Sequence, residues 1–358
     1  MTNIAPIAPT RVVIGVDTHA DVHVGVALDS LGRKLASTTI PTTTTGYRRL
    51  EAWADSLGTV EAFGLEGTGS YGAGLARHLQ GCGHRVVEVV RPNRQARRRN
   101  GKSDTVDAEA AARAVLSGEA DGTPKSGDDL VEMIRVLRVA RSTAVKARTQ
   151  ALNALKSLLV TAPAELRDQL RGLPTARLVV TAARLRAGRE VTTLAATKTA
   201  LRALAGRYQA LNSEIGALDA QLAELTAETA PKLVDTFGVG PDVAGALLVT
   251  AGDNPERLRS EAAFAMLCGV APIEASSGKT VRHRLNRGGD RHANAALYRI
   301  VIVRMRYHTA TRAYVERRTA EGLSKREVIR CLKRFLAREV YRLLPAATAR
   351  PNPGAGAA

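Results

Sequence analysis

Four carboxylates could do chemistry together in this sequence: Asp17, Glu66, Asp104 and Asp107. Asp104 and Asp107 are three residues apart, and residues at i and i+3 of a helix share a face. Asp17 follows a β-branched run (Val12, Val13, Ile14, Val16), and Glu66 closes a second apolar run from Val60 to Leu65. Strands of one sheet present their C-terminal side chains at a common edge, so the four acids can converge there. Gathered at one spot they repel one another unless cations sit between them. Two Mg²⁺ ions about 4 Å apart, or Mn²⁺ in their place, suit such a set and would stabilise the attacking and leaving oxygens of a phosphoryl transfer. Taken singly, each acid has a plainer reading: Asp104 and Asp107 favour a helix N-terminus through its dipole, and Asp17 fits a turn.

The charge balance points to the substrate. The 358 residues carry 52 Lys+Arg against 34 Asp+Glu, a net +18, and a chain this basic usually meets a polyanion, most often nucleic acid. The segment from Lys279 to Arg350 holds 19 basic and 5 acidic residues, so +14 of that charge lies there. Within it Lys279, Arg282, Arg284 and Arg287 fall in a Gly/Ser-rich loop and are candidate phosphate contacts. A second basic run, Arg91, Arg94, Arg97, Arg98, Arg99 and Lys102, lies beside the acids and would hold a DNA or RNA backbone. Aromatic residues are 3% of the chain, which argues against broad base-stacking platforms. The three cysteines are scattered and form neither a disulfide framework nor a zinc-ligand pair, which suggests a reducing, cytoplasmic location. No apolar run approaches the roughly 20 residues of a membrane span, and the first ten residues do not read as a signal peptide.

The elements that must position these residues are of two kinds. Residues 11 to 116 alternate β-branched runs with helical stretches: strands over 11–29 and 37–44, a helix over 46–57, a strand over 60–65 and a helix over 71–81. A strand over 85–90 and a helix over 103–116 capped by Ser103 complete an α/β layer with a mixed sheet. The turn-rich stretch 118–129 reads as a boundary. Beyond it the chain is mainly helical. Leu201, Leu204, Tyr208, Leu211, Ile215, Leu218, Leu222 and Leu225 follow at spacings of 3 and 4, an a/d seam of a coiled coil. Residues 131–160 fit the same register less well, because Arg141 and Arg148 fall on the seam. The two segments can pair within one chain, or the seam can join two chains; self-association is the favoured expectation. Gly238-Val239-Gly240 before an apolar helix fits a helix-hairpin-helix, whose turn binds a phosphate through backbone N–H groups. A Gly-Pro helix breaker gives the same letters. Long helices are expected over 291–315 and 325–344. The implied division is 11–125 nuclease-like, 126–230 coiled coil, 231–344 basic C-terminal domain and 345–358 disordered tail.

Three runs go beyond pattern: GVDTH at 15–19, LEGTGSYG at 65–72 and RPNRQARRRNGKSDTVDAEAAARAV at 91–115. They closely resemble the DEDD transposases of the insertion-sequence 110 family. LCGVAPIEASSG at 267–278 resembles that family's second domain. The resemblance implies a ribonuclease-H/RuvC-like N-terminal fold, with the metal-binding acidic set on Asp17, Glu66, Asp104 and Asp107. It also implies a catalytic serine, which falls on Ser277 before Gly278, with Ser276 as its neighbour. Its implied partners are double-stranded DNA at element ends and target, a structured non-coding bridge RNA, and further copies of the chain as a dimer or tetramer, in a bacterial, nucleoid-associated setting without a membrane. Two other readings stay open: a RuvC-type structure-specific endonuclease using metal-activated water, and a non-catalytic nucleic-acid binder whose acids are structural.

Overall fold

The computed structural model describes residues 10–89, 103–127, 129–253 and 258–344, and the chain separates into two compact units. The first runs to Asp129 and takes in Ala251–Ser260; the second comprises Leu130–Thr250 and Glu261–Pro345.

In the first unit the elements run β1 (Arg11–Thr18), β2 (Val22–Asp29), β3 (Lys34–Pro41), α1 (Thr44–Leu57), β4 (Thr59–Glu66), α2 (Ala73–Gly81), β5 (Val86–Val89) and α3 (Asp104–Leu116). The five strands form one mixed sheet in the order β3-β2-β1-β4-β5, as its sequence suggested. β1 pairs antiparallel with β2 and parallel with β4, and β4 pairs parallel with β5. The central strands are buried on both faces, so their side chains alternate between two cores. Val12, Ile14, Val16, Phe63 and Leu65 pack with α1 and α2 residues such as Leu50 and Leu75. Val13, Ala62, Val87 and Val89 pack with Ala108, Ala111, Ala112 and Val115 of α3. By the period of two, Asp17 and Glu66 share the α3 face.

Two glycines let α3 lie directly on the strands. A Cβ on Gly15 would stand 2.0 Å from the Ala108 carbonyl oxygen and 2.4 Å from the Ala112 nitrogen. One on Gly64 would stand 2.6 Å from the Val115 side chain. Outside the sheet, the turn-rich segment expected to be a bare boundary covers part of β5, because the Glu88 N–H donates to the Gly122 carbonyl at 2.7 Å. β3 begins at Lys34, earlier than its Thr-rich stretch suggested, and Thr43 becomes the cap of α1, accepting from the Gly46 N–H.

The second unit is built from α4 (Leu130–Val160), α5 (Ala164–Leu170), α6 (Thr175–Ala183), α7 (Thr193–Thr229), α8 (Pro231–Val234), α9 (Pro241–Ala251) and α10 (Glu261–Leu267). A two-stranded hairpin of β6 (Ile273–Glu274) and β7 (His283–Arg284) follows, then α11 (Arg291–Tyr307), α12 (Thr309–Ala320) and α13 (Lys325–Leu343). α4 and α7 pair antiparallel within the chain, with Leu155, Leu159, Leu201 and Ala205 in a core shared with α5 and α6. Arg141 and Arg148, which break the heptad pattern of α4, are used in this pairing. Arg141 pairs with Asp219, and Arg148 donates to Asn212 at 2.6 Å with its guanidinium over the Tyr208 ring.

Two expectations are corrected. The helix expected over 291–315 breaks at His308, whose extended backbone ends α11 and whose ring accepts from the Thr311 N–H to cap α12. The element around Gly238 lacks a full leading helix, because α8 is one turn long. Among the described residues no helix is long and apolar enough to cross a membrane. The expected disordered tail lies outside the described residues.

Candidate functional site

The acidic edge is assembled by register. Val16 of β1 lies opposite Leu65 of β4, so one residue further Asp17 lies beside Glu66. The two strand ends are tied by the Thr18 hydroxyl, which donates to the Glu66 carbonyl at 2.9 Å. Onto this face α3 delivers the other two acids from its first turn. Its start is set by Ser103, whose hydroxyl accepts from the Val106 N–H at 3.3 Å. Asp17, Glu66 and Asp107 are buried, at 7%, 7% and 4% exposure, while Asp104 faces solvent. Burying carboxylates this deeply is costly unless charge or hydrogen bonds compensate.

The electrostatics reflect the nearness of Asp107 and Asp104 to Asp17. The Asp17 pKa is raised above its ordinary value, first by burial and then by the negative charges of Asp107 and Asp104, against the opposing pull of His19. The His19 Nε2 lies 3.1 Å from Asp17 Oδ2 and 3.4 Å from Asp104 Oδ1, bridging strand end and helix start. One ligand atom each of Asp17, His19 and Asp104 lie within 4.8 Å of one another. An oxygen-rich donor set of mutually repelling carboxylates fits hard divalent cations such as Mg²⁺ or Mn²⁺. His19 was not singled out from sequence. A histidine just past a strand end looks like an ordinary turn residue, and only its position in Asp-Thr-His, beside the acid, offered a signal.

The candidate serine sits in the second unit, at the tip of the β6–β7 hairpin. Ser277 and Thr280 exchange both backbone hydrogen bonds at 3.1 Å across a two-residue turn. Gly278, at φ +56°, occupies the first central position, where the hairpin turn needs a residue without a Cβ. The neighbouring serines differ. The Ser276 hydroxyl accepts from the Arg282 N–H at 3.2 Å and donates to the Arg282 carbonyl at 3.4 Å. The Ser277 hydroxyl has no hydrogen bond among the described residues and is exposed.

The candidate phosphate contacts divide. Lys279, Arg282, Arg284 and Arg287 are exposed, and none makes an ion pair among the described residues. Other arginines of the basic C-terminal half are spent on packing: Arg304 on Glu339, Arg334 and Arg338 on Glu261, Arg299 on Asp242. Gly238 packs toward Ile300 and Val303 of α11, with φ at +86°, while Gly240 is exposed. Arg91, Arg94, Arg97, Arg98, Arg99 and Lys102 lie outside the described residues.

Comparison with known proteins bears on what these two places are for. A family model described as "Transposase", of the insertion-sequence 110 DEDD type, matches residues 14–162 and so spans all four acids. A second, "Transposase IS116/IS110/IS902 family", matches residues 230–316 and spans the serine hairpin. The chain belongs to the insertion-sequence 110 family of transposases. A member of that family from Streptomyces coelicolor, "Insertion element IS110 uncharacterized 43.6 kDa protein", is 30% identical over 137 residues. That match covers 38% of this chain and 32% of the relative, so the chain aligns with about a third of it.

Proposed function

We propose that this insertion-sequence 110 protein is a metal-dependent DNA transposase that cuts and rejoins DNA through a phosphoserine intermediate, guided by a structured non-coding bridge RNA. The observation that carries the reading is the meeting of Asp17, Asp104 and Asp107 beside Glu66 on one sheet edge. The strand order β3-β2-β1-β4-β5, with its three antiparallel strands followed by parallel ones, supports a ribonuclease-H/RuvC-like core for that unit. The working division of the chain is 11–125, 126–230, 231–344 and a tail at 345–358.

Asp17, Glu66, Asp104 and Asp107 would hold the divalent cations, with His19 orienting two of them. Bound there, such ions supply positive charge to the oxygens of a reacting phosphodiester. The Ser277 hydroxyl, held out by its tight turn and free of competing hydrogen bonds among the described residues, attacks phosphorus. The Ser277 O–P bond forms, the P–O3′ bond breaks, and the serine proton is lost as the departing oxygen becomes a 3′-hydroxyl. Attack by a second 3′-hydroxyl reverses the step and rejoins the strands. Lys279, Arg282 and Arg284 neutralise charge on the phosphate. Double-stranded DNA, an RNA guide, further copies of the chain and a cytoplasmic, nucleoid-associated location belong to the same reading.

The test is incubation with Mg²⁺, element-end DNA and co-purified RNA, followed by a search for DNA attached covalently at Ser277. Absence of any covalent adduct despite strand cleavage would refute the serine step. A RuvC-type endonuclease is the second reading, favoured by the placement of all four acids in one unit. A Ser277→Ala protein with full strand cleavage would select it.

A further inference from the structure

A second cluster of ligating side chains lies on the other face of the same sheet, where α1 and α2 pack. Glu51 of α1 is held between two imidazoles: His78 Nε2 is 2.6 Å from Oε2, and His84 Nε2 is 3.1 Å from Oε1. Cys82, at the C-cap of α2, brings its thiol close to the same carboxylate. His78 and Cys82 are four apart, one turn of α2 and its end, so both face Glu51. The side chains of Glu51, His78 and His84 are 16–22% exposed, while Cys82 opens to solvent.

One ligand atom each of Glu51, His78 and Cys82 lie within 4.8 Å of one another. Around a tetrahedral ion with bonds of about 2.0–2.3 Å, ligand atoms stand roughly 3.3–3.8 Å apart, so small side-chain adjustments close the set. Burial works against the Glu51 carboxylate, yet the hydrogen bonds from His78, Cys82 and His84 outweigh it and hold its pKa below the ordinary value. The same bond, with smaller contributions from burial and the carboxylate charge, raises the Cys82 pKa.

We propose that Glu51, His78 and Cys82 bind one zinc-class divalent cation, with His84 orienting the carboxylate through its second oxygen. A sulfur, nitrogen and oxygen donor set selects this class over Mg²⁺, which takes oxygen ligands, so the cluster is chemically distinct from the acidic edge. On binding, the thiol proton leaves to solvent, the His78 proton shifts from Nε2 to Nδ1 so that Nε2 is free to ligate, and water completes the coordination. The ion clamps α1 to α2, the helix that follows the Glu66 loop. The Tyr47 ring contacts His78 and stacks on His23, whose Nδ1 accepts from the His19 N–H at 3.4 Å. The clamp thus backs the turn carrying His19.

The experiment uses the full chain, stripped with chelator and supplied with excess Mg²⁺ to fill the acidic edge, then titrated with Co²⁺ as the probe. One Co²⁺ per chain with thiolate-to-cobalt absorption in the near ultraviolet is expected, displaced by Zn²⁺. The absorption is lost in Cys82→Ser, an exposed and conservative change, and persists in Cys331→Ser. His78→Gln weakens Co²⁺ binding about tenfold or more. Zn²⁺ raises the melting temperature of the wild type and leaves that of Cys82→Ser unchanged. Wild-type protein without thiolate absorption, absorption that survives Cys82→Ser, or equal Zn²⁺ stabilisation of both proteins overturns the proposal.

Discussion

Gly15 and Ala108 approach more closely than any side chain allows, since a Cβ on Gly15 would lie 2.0 Å from the Ala108 carbonyl oxygen. This approach seats α3 on β1 and holds Asp107, the residue before Ala108, near Asp17, two residues beyond Gly15. Gly15→Ala must therefore push the helix backbone away and destabilise the fold by about 1–3 kcal/mol or more. At Gly64 the closest atom is the end of the Val115 side chain, and the next is the Ala111 carbonyl oxygen at 3.0 Å. Gly64→Ala should thus cost less. Urea denaturation of the two variants checks the order, and equal losses would contradict this account.

Asp17 makes the metal-free protein pH-sensitive in a definite direction. Its folded pKa is raised above 3.8, by burial first and the charges of Asp107 and Asp104 next. A group with a raised folded pKa contributes stability that is present below its unfolded value and lost as pH rises through the folded one. In chelator at neutral pH, Asp17→Asn should melt above the wild type, and the gap should close on acidification below 3.8. Mg²⁺ should narrow the gap at neutral pH by stabilising the wild type alone. A variant that melts at or below the wild type in chelator at neutral pH refutes this.

Ser276 and Ser277 separate by what their hydroxyls already do. Ser277→Ala removes no hydrogen bond among the described residues, so it should leave thermal stability unchanged while abolishing covalent DNA attachment. Ser276→Ala loses both bonds to the Arg282 backbone, worth about 1 kcal/mol at an exposed site. It should soften the hairpin and keep measurable attachment. The opposite pattern would move the nucleophile to Ser276.

DNA binding should draw on the cations of the hairpin region that make no ion pair among the described residues. Replacing Arg282, Arg284 and Arg287 with alanine should lower the slope of log affinity against log salt by about 0.9 for each phosphate that is no longer neutralised. Arg304→Ala, which breaks a pair with Glu339, should instead lower stability with little change in slope. Filter binding across a salt series distinguishes the two, and an unchanged slope in the triple variant rules out a role for these arginines at the backbone.

The parts legible in sequence were those fixed by short-range rules. Ser103 with Asp104 and Asp107 follows from capping and i, i+3 spacing, and the strand parity of Asp17 and Glu66 follows from alternation. What escaped depends on partners distant in sequence. Arg141 and Arg148 look like flaws in a seam until Asp219 and Asn212 stand opposite them. Gly15 looks like a weak point in a strand until α3 lies on it. The break at His308 hides inside an amphipathic run, because neither Tyr307 nor Thr309 is a helix breaker. Glu51, His78, Cys82 and His84 span two helices and a turn, and no spacing motif joins them.

The antiparallel pair of α4 and α7 also sets a length. Thirty-seven helical residues in α7 extend about 56 Å at 1.5 Å per residue. Duplex DNA advances about 3.4 Å per base pair, so this strut measures some 16 base pairs. Arg141 pairs with Asp219 and Arg148 donates to Asn212 along the way, so a slide of one helix past the other would break both contacts. The strut's length is on the scale of one and a half turns of double helix.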